Sequence, residues 1–391
     1  MSLDQPHDLS PLSIAIVPDS FKGSAGAGAV ARSMARGASV AAAAAGREVL
    51  ISTLPFADGG EGTLDAVLDA WDMTARSVPT TDALGRPITA RFGLSPDGST
   101  AIIEAAEANG LPAVSDVPLQ PLEATTFGIG ALITAALDAG ATEIVLCIGG
   151  SATTDGGTGL LRALGAHFLD VEGHELPAGG GSLGKLDSIN VAGVDPRARA
   201  VSWKIACDVT NPLVGERGAA AVFGPQKGAS VSDIDVLDAG LRRLATVISD
   251  LTGRQLDEVP GMGAAGGLPA SLAGFCEVEL VPGWELVAQI LNARDILGNA
   301  DLVLTGEGRL DSQSLNGKVV NGVRLASRPE TDVIVIAGSV QLSPEELSGA
   351  GILAAYSIAQ GPATLAELSE ETEELIARTS YSVVRTYLAN R

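Results

Sequence analysis

Short apolar runs recur along the chain and alternate with longer amphipathic segments. Most of the runs are continuously apolar rather than apolar at every second position, which is typical of strands in a parallel sheet covered on both faces. They are residues 13–17, 49–54, 144–148, 204–207, 302–304 and 333–336. The predicted helices are residues 27–45, 63–71, 127–139, 160–166 and 236–251. Strand, polar loop and helix follow in this order at both chain ends, which predicts an α/β fold with right-handed crossovers.

The middle of the chain has a different pattern. Within residues 76–111, turn signals at 83–87 and 95–98 separate short strand-like pieces, which indicates a meander rather than crossover units. We therefore predict a discontinuous architecture. Residues 1–75 and 290–391 would form one α/β domain, and residues 76–289 would form an inserted mixed α/β domain.

Composition and charge narrow the class of protein. Of the 391 residues, 46% are hydrophobic, which suits a well-filled core. The formal net charge is -22 and the 25 basic residues form no cluster, so nucleic acid and anionic membranes are poor partners. No apolar stretch reaches membrane-spanning length, and the three cysteines stand singly, as in a reducing compartment. We expect a cytoplasmic protein.

The segment with the most chemical information is residues 148–159. It holds five glycines, four hydroxyl side chains and one carboxylate between an apolar run and an amphipathic one. A purely structural turn from strand to helix needs only about two to six residues. Glycines let backbone N–H groups turn toward an anion, and the hydroxyls and Asp155 can hold phosphate oxygens or a metal. The sequence therefore predicts a polar ligand at this loop.

Four other loops follow predicted strands and carry at least one carboxylate. They are residues 18–24, 56–63, 207–212 and 305–311. Ligands of open α/β sheets bind beyond the carboxyl ends of the strands, so these loops are candidates for one site. Any single acid there has a structural alternative as the N-cap of the following helix. The recurrence of acid, glycine and cation in five loops favours a ligand site.

Two motif alternatives are weaker. Residues 261–266 match G-x-G-x-x-G, but no predicted strand precedes them and Pro260 abuts them, so a glycine loop is favoured over a dinucleotide site. None of the three histidines is placed as a clear member of a catalytic triad. Carboxylates, glycine loops and lysines together suit phosphoryl transfer better than hydride transfer. The residues alone do not name the substrate.

The same five loops, with residues 223–229 and 316–319, strongly resemble the bacterial glycerate kinase family of the first type. The resemblance covers nearly everything after the first dozen residues, in the family's order. It implies an ATP-dependent, Mg²⁺-using kinase that acts on D-glycerate, usually at the 2-hydroxyl. It also implies a flavodoxin-like α/β domain built from both chain ends, an inserted domain, and an active cleft between them. Phosphorylation at the 3-hydroxyl and a non-catalytic, sugar-acid-binding relative remain alternatives, and the oligomeric state, a homo-oligomer included, stays open.

Under this resemblance we assign roles as hypotheses. Asp58 and Asp208 are the catalytic or metal-binding carboxylates, with Asp311 as a further metal ligand and Lys22 as the catalytic cation. Residues predicted to hold substrate or phosphate oxygens come from several loops; they are Asp19, Ser20, Ser151, Thr153, Asp155, Gly156, Glu307, Arg309 and Lys318. Arg217 or Lys227 would clamp the glycerate carboxylate, which needs a local cation.

Overall fold

A computed structural model describes residues 11–315 and 319–389 of the chain. The strands are β1 Leu12–Ile16, β2 Val49–Thr53, β3 Arg76–Thr81, β4 Pro87–Leu94, β5 Thr100–Glu104, β6 Glu143–Cys147, β7 His167–Leu169, β8 Ser188–Asn190, β9 Ser202–Ala206, β10 Val278–Val281, β11 Leu302–Leu310, β12 Asp332–Val340 and β13 Ala354–Ser357. The α-helices are α1 Ala27–Ala45, α2 Thr63–Trp71, α3 Ala106–Asn109, α4 Phe127–Asp138, α5 Thr158–Ala163, α6 Pro196–Ala200, α7 Ala219–Phe223, α8 Val231–Thr252, α9 Leu268–Phe275, α10 Gly283–Ile290, α11 Ala293–Gly298, α12 Val319–Ala326, α13 Pro344–Gly349, α14 Leu365–Glu370 and α15 Thr372–Ala389.

The chain divides into two compact units. The first unit comprises the described residues of 1–58, 65–70 and 287–391, and the second comprises residues 59–64 and 71–286. The first unit holds a five-stranded sheet of order β13-β12-β11-β1-β2, in which every neighbouring pair is parallel. This sheet of strands from both chain ends confirms the predicted fold class.

The core of the first unit lies on both faces of its sheet. Side chains alternate between the faces of a strand, so neighbouring residues of β12 feed different clusters. Ile334 and Ile336 pack with residues of α1 and α15, whereas Val335 and Ala337 pack with Val320 of α12 and its neighbours. Burial on both faces is the reason that these strands are apolar throughout.

The second unit is built on a mixed sheet of order β10-β9-β6-β5-β4-β3. Strands β3, β4 and β5 pair antiparallel, which is the meander predicted for residues 76–111, and β5, β6, β9 and β10 pair parallel. Strands β7 and β8 form a separate two-stranded sheet. The carboxyl ends of the four parallel strands lie on one edge of the mixed sheet, where ligands of α/β sheets bind.

Two elements differ from their predicted extent. The helix predicted to reach residue 166 ends at Ala163, and His167 lies in β7. Gly165 explains the early end, because it has φ +105° and a Cβ there would lie 2.2 Å from the Gly193 carbonyl oxygen. Strand β11 continues to Leu310, so much of the loop predicted at residues 305–311 is strand paired to β12.

In the described part of the chain, no helix combines the length and the apolarity that crossing a bilayer requires.

Candidate active site

The first unit brings Asp19 and Asp58 together at the carboxyl edge of its sheet. Asp19 follows β1, and Asp58 follows β2. The Phe56 N–H donates to the Pro18 carbonyl oxygen at 3.0 Å, which joins the two loops, and the Asp19 N–H donates to the Gly306 carbonyl oxygen at 2.8 Å. Both carboxylates are partly buried. The loops therefore hold two acids close enough for their charges to interact.

The environment of Asp19 disfavours its ionised form. Burial, and after it the negative charge of Asp58, raise the pKa of the Asp19 carboxyl to about 6. The Ser20 N–H donates to Asp19 Oδ1 at 2.6 Å and, with the charge of Lys22, opposes this rise. Ser20 is partly buried and Lys22 is exposed. The structure therefore gathers four of the predicted site residues, and a cation bound here would relieve the repulsion between the two acids.

Three predicted site residues, Glu307, Arg309 and Asp311, lie in β11 or directly after it and differ in their surroundings. Glu307 is buried within β11, and Arg309 is exposed near its end. Asp311 Oδ2 lies 3.2 Å from Arg309 Nε, and Asp311 Oδ1 accepts from the Gln313 N–H at 2.9 Å. These two contacts use part of the carboxylate, and the role of Asp311 as a metal ligand stays a prediction. Lys318 lies outside the described residues.

The mixed sheet of the second unit has a second candidate ligand site at its edge. Two glycine-rich loops, one with Gly59 and Gly60 and one with Gly149 and Gly150, contact each other there. A Cβ built on Gly149 would lie 3.0 Å from Gly60 Cα, and one built on Gly59, which has φ +84°, would lie 2.7 Å from Gly283 Cα. At Gly59 such an approach and the positive φ require glycine, and at Gly149 a side chain would have to displace the neighbouring backbone. Gly150 is exposed, so part of this junction faces solvent.

Glu104 fixes the first of these loops and was not predicted as a site residue. Its carboxylate is 5% exposed and accepts from the Gly62 N–H at 3.1 Å through each oxygen, and from the Leu64 N–H at 3.2 Å. Glu104 thus caps the start of α2 from 40 residues away in sequence. A single acid that ends the apolar run 101–103 is the only local signal of this role.

Asp208 and Arg217 are both exposed in the second unit. Asp208 Oδ1 accepts from the Gly283 N–H at 2.8 Å, at the first residue of α10. This contact matches the N-cap alternative and occupies one carboxylate oxygen. The Arg217 carbonyl oxygen accepts from Asn211 Nδ2 at 2.8 Å, which orders the turn that carries the guanidinium.

Asp155, at the centre of the loop with the strongest sequence signal, is fully buried. Its Oδ2 accepts from the Thr126 N–H at 2.8 Å, the Thr126 hydroxyl at 2.9 Å and the Gly159 N–H at 3.1 Å, and its Oδ1 accepts from the Gly157 N–H at 3.1 Å. The carboxylate therefore joins the starts of α4 and α5. Direct contact between Asp155 and phosphate, as predicted, does not fit this arrangement, and the cap alternative does.

The rest of that loop is buried as well. Thr153 is fully buried, and Gly156 has φ +65° with a hypothetical Cβ 2.4 Å from Leu244 Cδ2. Neither the Thr153 side chain nor the Cβ position of Gly156 faces solvent, and their contact with phosphate stays a prediction. The G-x-G-x-x-G segment braces the loop: the Gly156 N–H donates to the Gly266 carbonyl oxygen at 3.0 Å.

Lys227, one of the two cations predicted to clamp the glycerate carboxylate, is 2% exposed and lies inside the protein. Its Nζ donates to Ser151 Oγ at 3.1 Å and to the Thr153 carbonyl oxygen at 2.5 Å. Burial lowers the pKa of the Lys227 ammonium to about 7, and the charge of Asp155 opposes this shift. The lysine binds the loop from inside the protein.

One group of three potential metal ligands lies within 4.8 Å in the described chain, namely Asp170, Glu172 and His174. Glu172 and His174 are exposed, and both donate backbone N–H groups to Asp170 Oδ1 at 2.9 Å. This is the hydrogen bonding of an ordinary Asx turn.

Comparison with known proteins decides the family. The model of the "Glycerate kinase family" matches residues 14–388. The chain is 43% identical over 374 residues to a glycerate kinase of Bacillus subtilis (strain 168), covering 95% of this chain and 97% of the relative. It is 42% identical over 380 residues to a glycerate 2-kinase of Escherichia coli (strain K12), covering 96% and 98%. The chain belongs to the glycerate kinase family.

A solved structure agrees with this assignment. A crystal structure of a protein assigned as glycerate kinase 2 from Salmonella typhimurium LT2 superposes with a TM-score of 0.88 at 40% identity, covering 97% of this chain and 99% of that one. The resemblance that the motifs predicted is therefore confirmed. The glycerate kinase family match spans both sheet edges described above.

Proposed function

We propose that this glycerate kinase family member transfers the γ-phosphoryl group of ATP to the 2-hydroxyl of D-glycerate. The products are 2-phospho-D-glycerate, ADP and a proton. The observation that carries the proposal is the pair Asp19 and Asp58 at the sheet edge of the first unit, within a chain of this family. The choice of the 2-hydroxyl is supported by the similarity to the Escherichia coli glycerate 2-kinase.

The acid pair fits a divalent cation. The charge of Asp58 disfavours ionisation of Asp19, and the two carboxylates, in partly buried loops, offer the oxygen ligands that Mg²⁺ prefers. Asp58 and Asp19 would hold Mg²⁺, which neutralises charge on phosphate oxygens in phosphoryl transfer when it is bound. Lys22 is exposed beside Asp19 and would pair with a phosphate oxygen.

We propose that the second edge supplies neutral anion-binding groups. Gly150 is exposed with φ +71°, a backbone conformation that lets consecutive N–H groups converge on an anion. Ser151 follows it, and Arg217 is an exposed cation of the same unit that could bind a carboxylate.

The proposal also covers location and partners. The enzyme acts in the cytoplasm, where ATP is available, on a small hydroxy acid. The absence of a basic cluster among its 25 lysines and arginines gives nucleic acid and anionic membranes no evident binding surface.

The test is an ADP-release assay with purified protein, ATP, Mg²⁺ and D-glycerate, followed by NMR of the product. We expect ADP release that depends on D-glycerate, and a phosphorus coupled to the proton on carbon 2. Coupling to the carbon-3 protons would establish a 3-kinase instead. Glycerate binding without ADP release would establish the non-catalytic alternative.

A further inference from the structure

Lys227 is a buried cation for which the proposed function has no direct use. It ends the short 3₁₀ turn Pro225–Lys227 of the second unit. Its ammonium reaches the glycine-rich loop, where it donates to Ser151 Oγ at 3.1 Å and to the Thr153 carbonyl oxygen at 2.5 Å. Burying an ammonium costs free energy, so a lysine at this position is expected to contribute to stability or to function.

The loop that Lys227 contacts is also held from other sides. Asn109 Nδ2 donates to the Thr153 hydroxyl at 3.2 Å, and Gly110 and Ser151 form an isolated β-bridge. The buried Asp155 carboxylate supplies the negative charge that acts favourably on Lys227. Thr153 and Asp155 are thus fixed inside the protein, and Ser151 is the residue at which the loop emerges next to the exposed Gly150.

The hydrogen bond from Lys227 determines which side of the Ser151 hydroxyl accepts and which side is left to donate. A serine hydroxyl has one proton to donate and accepts through its lone pairs. In its charged form the Lys227 ammonium has donors only, so Ser151 Oγ then accepts from it and directs its own proton elsewhere. Among the described residues, the Ser151 hydroxyl donates no hydrogen bond. Ser151 is 7% exposed, so a small part of this residue reaches solvent.

We propose that Lys227 is a positioning residue that holds Ser151 as a hydrogen-bond donor to a phosphate oxygen of the bound nucleotide. The proposal rests on the phosphoryl transfer proposed above and deepens it. Lys227 does not touch the ligand. It occupies the acceptor side of the Ser151 hydroxyl, so the donor side faces the anion, and this preorganisation lowers the cost of binding charge.

The test compares Ser151→Ala, Lys227→Met and the double variant by kcat/KM and by calorimetric binding of Mg²⁺·ADP. We expect each single variant to lose about tenfold or more in kcat/KM, on the scale of removing one donor to developing charge. The double variant should lose no more than the worse single variant, because the two residues act as a unit. Lys204→Met is the matched control, since Lys204 pairs with Glu143 at 2.8 Å in the same unit and should keep wild-type kinetics.

A second variant keeps the test decisive if Lys227→Met folds poorly. Lys227→Gln retains an uncharged N–H donor toward Ser151, so it should bind Mg²⁺·ADP closer to wild type than Lys227→Met does. Additive losses in the double variant, or normal binding and kinetics in Ser151→Ala, would overturn the proposal. Failure of both Lys227 variants to fold would assign the lysine a structural role only. A wild-type protein that binds Mg²⁺·ADP but transfers no phosphoryl group would instead refute the proposed function.

Discussion

Asp19 with Asp58 in the first unit and Asp155 in the second lie in opposite kinds of polar surroundings. Asp155 is fully buried and accepts hydrogen bonds from backbone and hydroxyl donors at the starts of two helices. Asp19 is partly buried beside a like charge, and burial and that charge together raise its pKa to about 6. The protein supplies hydrogen-bond donors to the Asp155 carboxylate, whereas ionisation of Asp19 costs free energy in the folded state.

This difference in surroundings is the reason that we propose a structural role for Asp155 and a role in the reaction for Asp19 and Asp58. A buried carboxylate that accepts several hydrogen bonds from the protein stabilises the fold, because its charge is compensated without a ligand. A repelling pair destabilises the folded state, and such pairs are common at functional sites because a bound cation or substrate relieves them. The comparison predicts that changes at Asp155 affect stability and that changes at Asp58 affect turnover.

The largest expected effect is on folding, from Asp155→Asn. The substitution places an amide N–H₂ among donors and removes the negative charge that acts on Lys227, so the free energy of unfolding should fall by about 3–5 kcal/mol. Urea denaturation measures it. Asp116→Asn is the control: Asp116 pairs with Arg86 at the surface, and its loss should cost about 1 kcal/mol or less. Equal stability of the two variants would contradict the structural role of Asp155.

Asp58→Asn should instead reduce kcat at least about a hundredfold, the scale of losing a catalytic proton or metal contact. The free energy of unfolding should stay the same or rise, because the variant removes one of two repelling charges. Steady-state ADP release and urea denaturation are the measurements. Asp72→Asn, at an exposed position with φ 55° that asparagine tolerates, serves as the control. Near-normal turnover in Asp58→Asn would remove Asp58 from the mechanism.

Asp19→Asn should change the free energy of unfolding in a way that depends on pH. The folded-state pKa of about 6 lies above the ordinary 3.8, so ionising Asp19 destabilises the folded protein. The penalty is absent below about pH 4, grows as pH rises through 6, and is complete above it. In EDTA, Asp19→Asn should therefore be more stable than wild type by about 1–3 kcal/mol at pH 8, at 1.36 kcal/mol per unit, and equal to it at pH 4. A stability difference that is independent of pH would contradict the repulsion.

Lys22→Ala has the smallest expected effect. Lys22 is exposed, so its pairing with a phosphate oxygen is partly screened, and the loss should be about 1 kcal/mol, or several-fold in the KM for ATP. Stability should not change. Lys185→Ala, another exposed lysine, should leave both constants unaltered. Unchanged kinetics in Lys22→Ala would make Lys22 a solvated surface residue.

The sequence pattern predicted those helices and strands whose ends depend on nearby residues. Helices α1 and α2 have their predicted ends, and strands buried on both faces stand out as continuous apolar runs. The extent of β11 escaped prediction because its second half depends on pairing with β12. Gly306 shows this dependence: a Cβ there would lie 2.0 Å from the Ile336 carbonyl oxygen.

The sequence alone could not distinguish the surroundings of the acids Asp19, Asp155 and Asp208, for a related reason. Asp19, Asp155 and Asp208 all follow strands in polar loops, so they look alike in sequence. What distinguishes them is distant: the donors to Asp155 on Thr126 are 29 residues away, and Gly283 is 75 residues from Asp208. Caps and ligand sites use the same residue types, and only the tertiary partners tell them apart.

The most direct test of the account is a carbon-13 NMR titration of the Asp19 carboxyl in metal-free protein. Its pKa should be about 6 in the wild type, and lower in Asp58→Asn and in wild type with Mg²⁺·ADP, because each change removes or neutralises the neighbouring negative charge. An Asp19 carboxyl that titrates near 4 in all three samples would contradict the claim that this acid pair is held under repulsion for binding a cation.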